Sequence, residues 1–157
     1  MKIRIDAAKQ ELTLLDGDRV VKRYAVSTAK KGLGEKNGSF CTPRGRHIVR
    51  AKIGAGQPHG AVFVRRRPTG EVWTPELHDK YPGRDWILTR ILWLSGKEPG
   101  KNRLGDVDTM RRYIYIHGSH DRAEMGKPGS IGCIRMRNKD IAELYELVPP
   151  YTPVEIV

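Results

Sequence analysis

Between Tyr113 and Arg137 the chain reads YIYIHGSHDRAEMGKPGSIGCIRMR, its densest run of reactive side chains. A strand-like apolar stretch ends in His117-Gly118. Sixteen residues after His117 comes Cys133, preceded by Gly132 and followed by Ile134-Arg135. A thiolate is a strong nucleophile, and a neighbouring imidazole lowers a thiol pKa from about 8.5. Gly132 leaves space beside the sulfur, and the N–H groups of Gly132 and Cys133 can face a developing oxyanion. The pattern fits acyl transfer by a Cys–His pair. Taken singly, each residue has a plainer reading: a lone Cys is commonly a small buried hydrophobe, and a lone His a structural side chain. A zinc site built from His117-x-x-His120 with Cys133 or Cys41 has a permissible spacing, but it lacks an evident fourth ligand and a paired CxxC. No metal and no cofactor is expected.

The elements that must position these residues are mostly strands. Lys2–Ile5, Glu11–Leu15 and Arg19–Ser27 are short runs with β-branched and aromatic residues, and Asp16-Gly17-Asp18 marks a hairpin between the second and third. A Gly/Lys-rich loop over residues 30–38 leads to the turn Thr42-Pro43-Arg44-Gly45. His47–Ile53 and Ala61–Arg65 read as further strands. Residues 86–94, WILTRILWL, fit a buried strand or a short helix, and periodicity does not separate them. Residues 96–108 form a loop, Arg112–His117 a strand, and residues 119–130 a second loop. One helix is clear: Asn138 as cap, Asp140 in the first turn, then Ile141, Leu144, Leu147 and Val148 at helical spacing until Pro149-Pro150. A last strand spans Val154–Val157. About eight strands to one helix predict a mostly β chain, a β-sandwich with a small helical addition.

Composition narrows the function classes. A chain of 157 residues suggests one domain, residues 1–157, able to bury roughly 70% of its unfolded surface. Two cysteines exclude a disulfide-rich scaffold. The N-terminal MKIRIDAAKQELTLLDGD lacks the ~7–15 apolar residues of a secretory signal, and no stretch reaches the ~20 of a membrane span, so the expectation is a soluble cytoplasmic chain without membrane span. There are 29 Lys+Arg against 18 Asp+Glu, a net charge of +11. From Lys36 to Gly70 there are eight Lys/Arg and no acid, including Arg65-Arg66-Arg67. Such a surface favours a polyanionic or multiply carboxylated partner, or simply stays solvated. Nucleic acid is not expected, because aromatics are not interleaved with the basic runs as stacking platforms require.

These segments together resemble the YkuD-type L,D-transpeptidase catalytic domain. That family carries an Ile-His-Gly stretch, a loop of about a dozen residues, then Ser-His-Gly-Cys-Ile/Val-Arg-Met/Leu. Here stand Ile116-His117-Gly118 and Ser130-Ile131-Gly132-Cys133-Ile134-Arg135-Met136. Upstream, Val26-Ser27-Thr28, Gly38 and Thr42-Pro43-Arg44-Gly45 resemble its "VSTG…TPxG" segment, and Asn138–Val148 with Thr152-Pro153-Val154 its helix and closing strand. The resemblance covers essentially the whole chain and implies a β-sandwich of mixed sheets. It implies Cys133 as the nucleophile attacking the third residue of a peptidoglycan stem peptide, and His117 as the base. The Gly118 carbonyl would orient the imidazole, and Arg135 and Ser130 would serve as substrate-binding residues. Its substrates are peptidoglycan stem peptides or muropeptides. The thioester so formed goes either to water, giving an L,D-carboxypeptidase of murein recycling, or to an amine, giving 3→3 cross-links. A cytoplasmic chain would meet only soluble muropeptides, so hydrolysis is the expectation. One departure stands out: the family's second His is Ile131 here, and His120 is either a substitute for it or an exposed loop histidine. The residues from Trp73 to Trp93 fall where such domains place a lid or groove wall, though core packing suits the tryptophans as well.

Overall fold

The computed structural model describes all of residues 1–157. Its elements are β1 (Lys2–Asp6), β2 (Glu11–Asp16), β3 (Arg19–Ser27), β4 (Gly45–Ile53), β5 (Ala61–Val64), β6 (Arg67–Val72), α1 (Pro75–Lys80), β7 (Ile87–Gly96), β8 (Tyr115–Ser119), β9 (Ile134–Arg137), α2 (Asn138–Leu147) and β10 (Pro153–Ile156). The alternation apolar-in, polar-out is plain in β1 and β2, where Ile3, Ile5, Leu12 and Leu14 are fully buried.

Strand order is β4-β10-β1-β2-β3-β9-β8-β7-β5-β6, and β4 also pairs with β7. The two packed layers are therefore joined, and hydrogen bonding runs around a ring of eight strands, with the β5–β6 hairpin hung from β7. The pairings are mixed, as expected: β1–β10 and β8–β9 are parallel, the rest antiparallel. The main core of 19 buried residues draws on every ring strand and on Ile141, Leu144, Tyr145 and Val148 of α2 and its C-terminal end.

Several expectations need correction. Of the two readings of residues 86–94 the strand holds, as β7 from Ile87 to Gly96, which hydrogen-bonds to β4, β5 and β8; its register shifts between Leu88 and Ile91, where Thr89 has φ +73°, and that bulge is what scrambles the period. The strand expected over 112–117 begins only at Tyr115, because Arg112 and Tyr113 belong to a turn bonded to Asp108 and Met110. Asn138 is the first residue of α2 and not its cap; Arg137 is the cap and offers no side-chain bond, while the Asn138 Oδ1 accepts from the Thr89 hydroxyl at 2.7 Å. β6 and α1 were not expected; α1 starts at Pro75 behind Thr74, whose hydroxyl oxygen accepts from the Leu77 N–H. Trp86 is buried against Val62 and Leu88, with Trp73 packed alongside, and Trp93 packs near Phe63 and Tyr115. No helix is long and apolar enough to cross a membrane.

Candidate active site

Parallel strands β8 and β9 set Ile116 opposite Ile134, His117 opposite Arg135 and Gly118 opposite Met136. One step back, the same register puts Tyr115 opposite Cys133. Because side chains alternate, Ile116, Ile134 and Met136 enter the core, and Tyr115, His117, Cys133 and Arg135 share the other face. His117 and Cys133 are thus diagonal neighbours on adjacent strands.

His117 is 1% exposed, and its Nδ1 lies 2.6 Å from the carbonyl oxygen of Gly118. A carbonyl only accepts, so Nδ1 carries the proton and Nε2 is left with a lone pair. Gly118 must be glycine at this spot: a Cβ would sit 2.5 Å from the Leu88 carbonyl oxygen and run into Asn138 Oδ1. The Cys133 thiol donates to the Tyr113 carbonyl oxygen (3.4 Å) and accepts from the Tyr115 N–H (3.3 Å).

The turn before Cys133 is held from several sides. The Ser130 hydroxyl donates to the Cys133 carbonyl oxygen (2.5 Å) and accepts from the Gly132 N–H (3.1 Å). The Thr42 hydroxyl donates to the Gly132 carbonyl oxygen (2.8 Å) and accepts from the Ala29 N–H (3.0 Å). The Thr28 carbonyl oxygen accepts from the N–H groups of Gly129 and Ser130, and the Thr28 N–H donates to Gln10 Oε1. Gly132 has φ +136°, and a Cβ there would crowd Ile114 Cδ1 at 3.2 Å. Two expected roles change as a result. The Gly132 N–H is committed to Ser130, which leaves the Cys133 N–H, bonded to no acceptor of the chain, as the amide free to face an oxyanion. Ser130 is 3% exposed and lies inside the turn, off the cavity wall, because both its bonding roles are spent on the loop itself. Arg135 is also engaged within the chain: it donates to the Gly129 carbonyl oxygen (3.2 Å) and stands 3.6 Å from Asp85.

Cys133 opens on a cavity of about 540 Å³ walled by Tyr113, Tyr115, Arg66, Arg112, Asp85 and Ile131, among others. Ile131 is 57% exposed there. Arg112 ties the loop over residues 34–41 to the site through the carbonyls of Gly34 and Cys41 and the Ser39 hydroxyl. Arg66 donates to the Tyr115 hydroxyl oxygen (2.9 Å) and lies over the rings of Trp93 and Tyr113. Phe40, Arg65, Arg66 and Tyr113, four of the eight non-glycine residues with left-handed backbone, line this one cavity. Such conformations cost on the order of 1–3 kcal/mol each and gather where a surface is built for binding.

Burial pushes the Cys133 thiol up to about 12; the Tyr115 N–H, Arg135 and Arg112 offset this only in part, and Asp85 adds to it. Burial likewise holds His117 below the ordinary imidazole value, against Asp85 and the Gly118 carbonyl and with Arg135. The resting pair is a neutral thiol and a neutral imidazole. Residue types lead one to expect a thiol lowered by its imidazole, whereas desolvation is the largest influence on it here.

The family model described as the L,D-transpeptidase catalytic domain, YkuD, matches residues 1–156. This chain belongs to that family. It is 48% identical over 154 residues to the putative L,D-transpeptidase YkuD of Bacillus subtilis, covering 98% of this chain and 64% of the relative. It is 32% identical over 125 residues to the probable L,D-transpeptidase YbiS of Escherichia coli, covering 73% of this chain and 40% of that one. The chain thus spans about two thirds or less of the relatives it matches. Solved L,D-transpeptidases from Xylanimonas cellulosilytica (21% identity, TM-score 0.55, 99% of this chain and 59% of that one) and Mycobacterium smegmatis (17%, 0.56, 99% and 57%) share the fold.

Within this L,D-transpeptidase domain, His120 does not join Cys133. Its ring lies 4.6 Å from His78 and stacks on Trp73, beside a different cavity. It neither fills in for the histidine replaced by Ile131 nor completes a zinc set, and Cys41 turns its thiol to the carbonyls of Lys31 and Ser39. Sequence reasoning missed Asp85, Arg66 and the backbone groups of Tyr113 and Tyr115. The one available signal was the run Arg65-Arg66-Arg67.

Proposed function

We propose that this domain is a cysteine acyl-transferase acting on the tetrapeptide stems of peptidoglycan. The reading rests on one observation above all: with Nδ1–H held by Gly118, the free Nε2 of His117 shares a strand face with Cys133 at the foot of an arginine- and tyrosine-walled cavity. The Cys133 sulfur attacks the carbonyl of the third stem residue while its proton passes to His117 Nε2. The C–N bond to the terminal D-alanine breaks, and that proton leaves on the D-alanine amine. Because the thiol rests neutral, proton transfer accompanies attack. The Cys133 N–H is the oxyanion donor.

Water as acceptor gives a tripeptide and regenerates the thiol, making the enzyme an L,D-carboxypeptidase of soluble muropeptides in cytoplasmic murein recycling. An amine acceptor gives 3→3 cross-links or D-amino-acid exchange, and the names of the relatives favour this second reading. Mass spectrometry of the full chain with a disaccharide tetrapeptide, with and without excess D-amino acid, separates them. Loss of one alanine, insensitive to added amine, supports the carboxypeptidase. Exchanged or dimeric products establish transpeptidation. No product and no mass increment on Cys133 overturns acyl transfer. Native protein found in the periplasmic fraction of its own cells overturns the cytoplasmic assignment.

A further inference from the structure

A second cavity, of about 290 Å³, opens two residues beyond His117 on the same face of β8. Its wall includes Ser119, His120, His59, Arg137 and Lys139, with the exposed Asp121 as its one acid. Ser119 is 3% exposed, yet its hydroxyl bonds nothing in the chain; the buried Nδ1 of His120 is likewise without a partner. The β8–β9 register sets Ser119 opposite Arg137, from which the ten-residue α2 departs. That helix begins without a side-chain cap, since Arg137 has none to offer and the Asn138 oxygen is taken by Thr89. Its first-turn N–H groups lack intrahelical acceptors and carry the positive end of the helix dipole. Asp140 sits in that turn, 3.9 Å from Arg137, and draws on part of this field.

Apart from Asp121, and with the Asn138 oxygen already engaged by Thr89, the groups meeting here can donate or are cationic: the Ser119 hydroxyl, the imidazoles of His59 and His120, the amides at the start of α2, an arginine and a lysine. Such a set calls for a ligand that only accepts. We infer that this cavity is an oxyanion site, taking the carboxylate or phosphate group of a small ligand.

The test is an amide and imidazole NMR titration of the full chain with sodium phosphate and with sodium acetate, against sodium chloride at matched ionic strength. The site predicts saturable shifts at Ser119, Asn138, Lys139 and the His120 ring with at least one of the two anions. A preference for phosphate marks a phosphoryl ligand, and a preference for acetate a carboxylate. Ser119→Ala should weaken binding about tenfold with the fold intact, and the exposed Lys139→Gln about threefold. Shifts no larger than chloride produces with either anion, or unchanged affinity in Ser119→Ala, would overturn it.

Discussion

His117 gives its Nδ1 proton to the Gly118 carbonyl and sits, uncharged, on the same strand face as a thiol that burial has pushed up to about 12. Burial disfavours the charged form of each group, so in the proposed reaction each depends on the other at the moment of attack. Cys133→Ala should abolish turnover while circular dichroism and Tm stay near the parent's. His117→Ala should lower kcat/KM by about 10²–10⁴-fold, the usual worth of a positioned base. Its residual rate should climb as pH rises towards the thiol's own value. Because burial disfavours the imidazolium, the base stays neutral in mild acid. The acid limb of kcat/KM should therefore lie below pH ~6.5, the ordinary imidazole value. A limb at or above that value would show that His117 is not the base. Arg135→Lys keeps the charge but cannot span the Gly129 carbonyl and Asp85 together, so a drop in kcat/KM of about tenfold is expected, measured on the tetrapeptide.

At the scale of elements, the reactive turn has little structure of its own. It is held by β3 and its exit through Thr28, by the residues before β4 through Thr42, and by its own Ser130. This gives the Val26-Ser27-Thr28 and Thr42-Pro43 segments a mechanical reason to accompany the cysteine. Thr42→Val keeps the volume but leaves the Gly132 carbonyl and the Ala29 N–H without their bonds. It should cost about 1–3 kcal/mol in urea unfolding and slow the acylation burst more than it raises KM. An unchanged burst would mean that Thr42 holds the fold but not the nucleophile.

The molecule holds three histidines below the ordinary imidazole value, two of them buried and one half-buried. His47 is fully buried, held to about 4 by desolvation while Nδ1–H donates to the Gly45 carbonyl and Nε2 accepts from the Thr109 hydroxyl. The half-buried His120 is lowered to about 4, again chiefly by burial, and His117 is lowered too. Between about pH 6.5 and 4 the unfolded chain therefore binds more protons than the folded one, and stability falls as pH falls. His47 alone contributes on the order of 3 kcal/mol across that window. Chemical denaturation at pH 7 and pH 4.5 should show the loss, and His47→Gln should flatten it. The closed ring leaves β6 as the exposed edge; that strand carries Arg67 and Pro68, residues that discourage pairing with another chain.

Local chemistry sufficed for much of this. Hairpin signals, two-residue alternation and an amphipathic C-terminal stretch marked β1 to β4, α2 and a mostly β chain, because those patterns depend on neighbours close in the sequence. The Ile116-His117-Gly118 and Ser130–Met136 segments that hold the proposed nucleophile and base were also readable, as a motif of ordered residue types. What stayed hidden depends on contacts between distant segments. β7 could not be told from a helix because its bulge at Thr89 breaks the period and its strand character comes from three partners elsewhere in the chain. Asp85, Arg66 and the Tyr113 and Tyr115 backbone come together around the Cys133 cavity only once β5–β6, β7 and β8 are paired. Residue types alone predict a thiol lowered by its imidazole, while burial pushes this thiol the other way. Desolvation is set by everything packed around the sulfur, and only the tertiary structure supplies that.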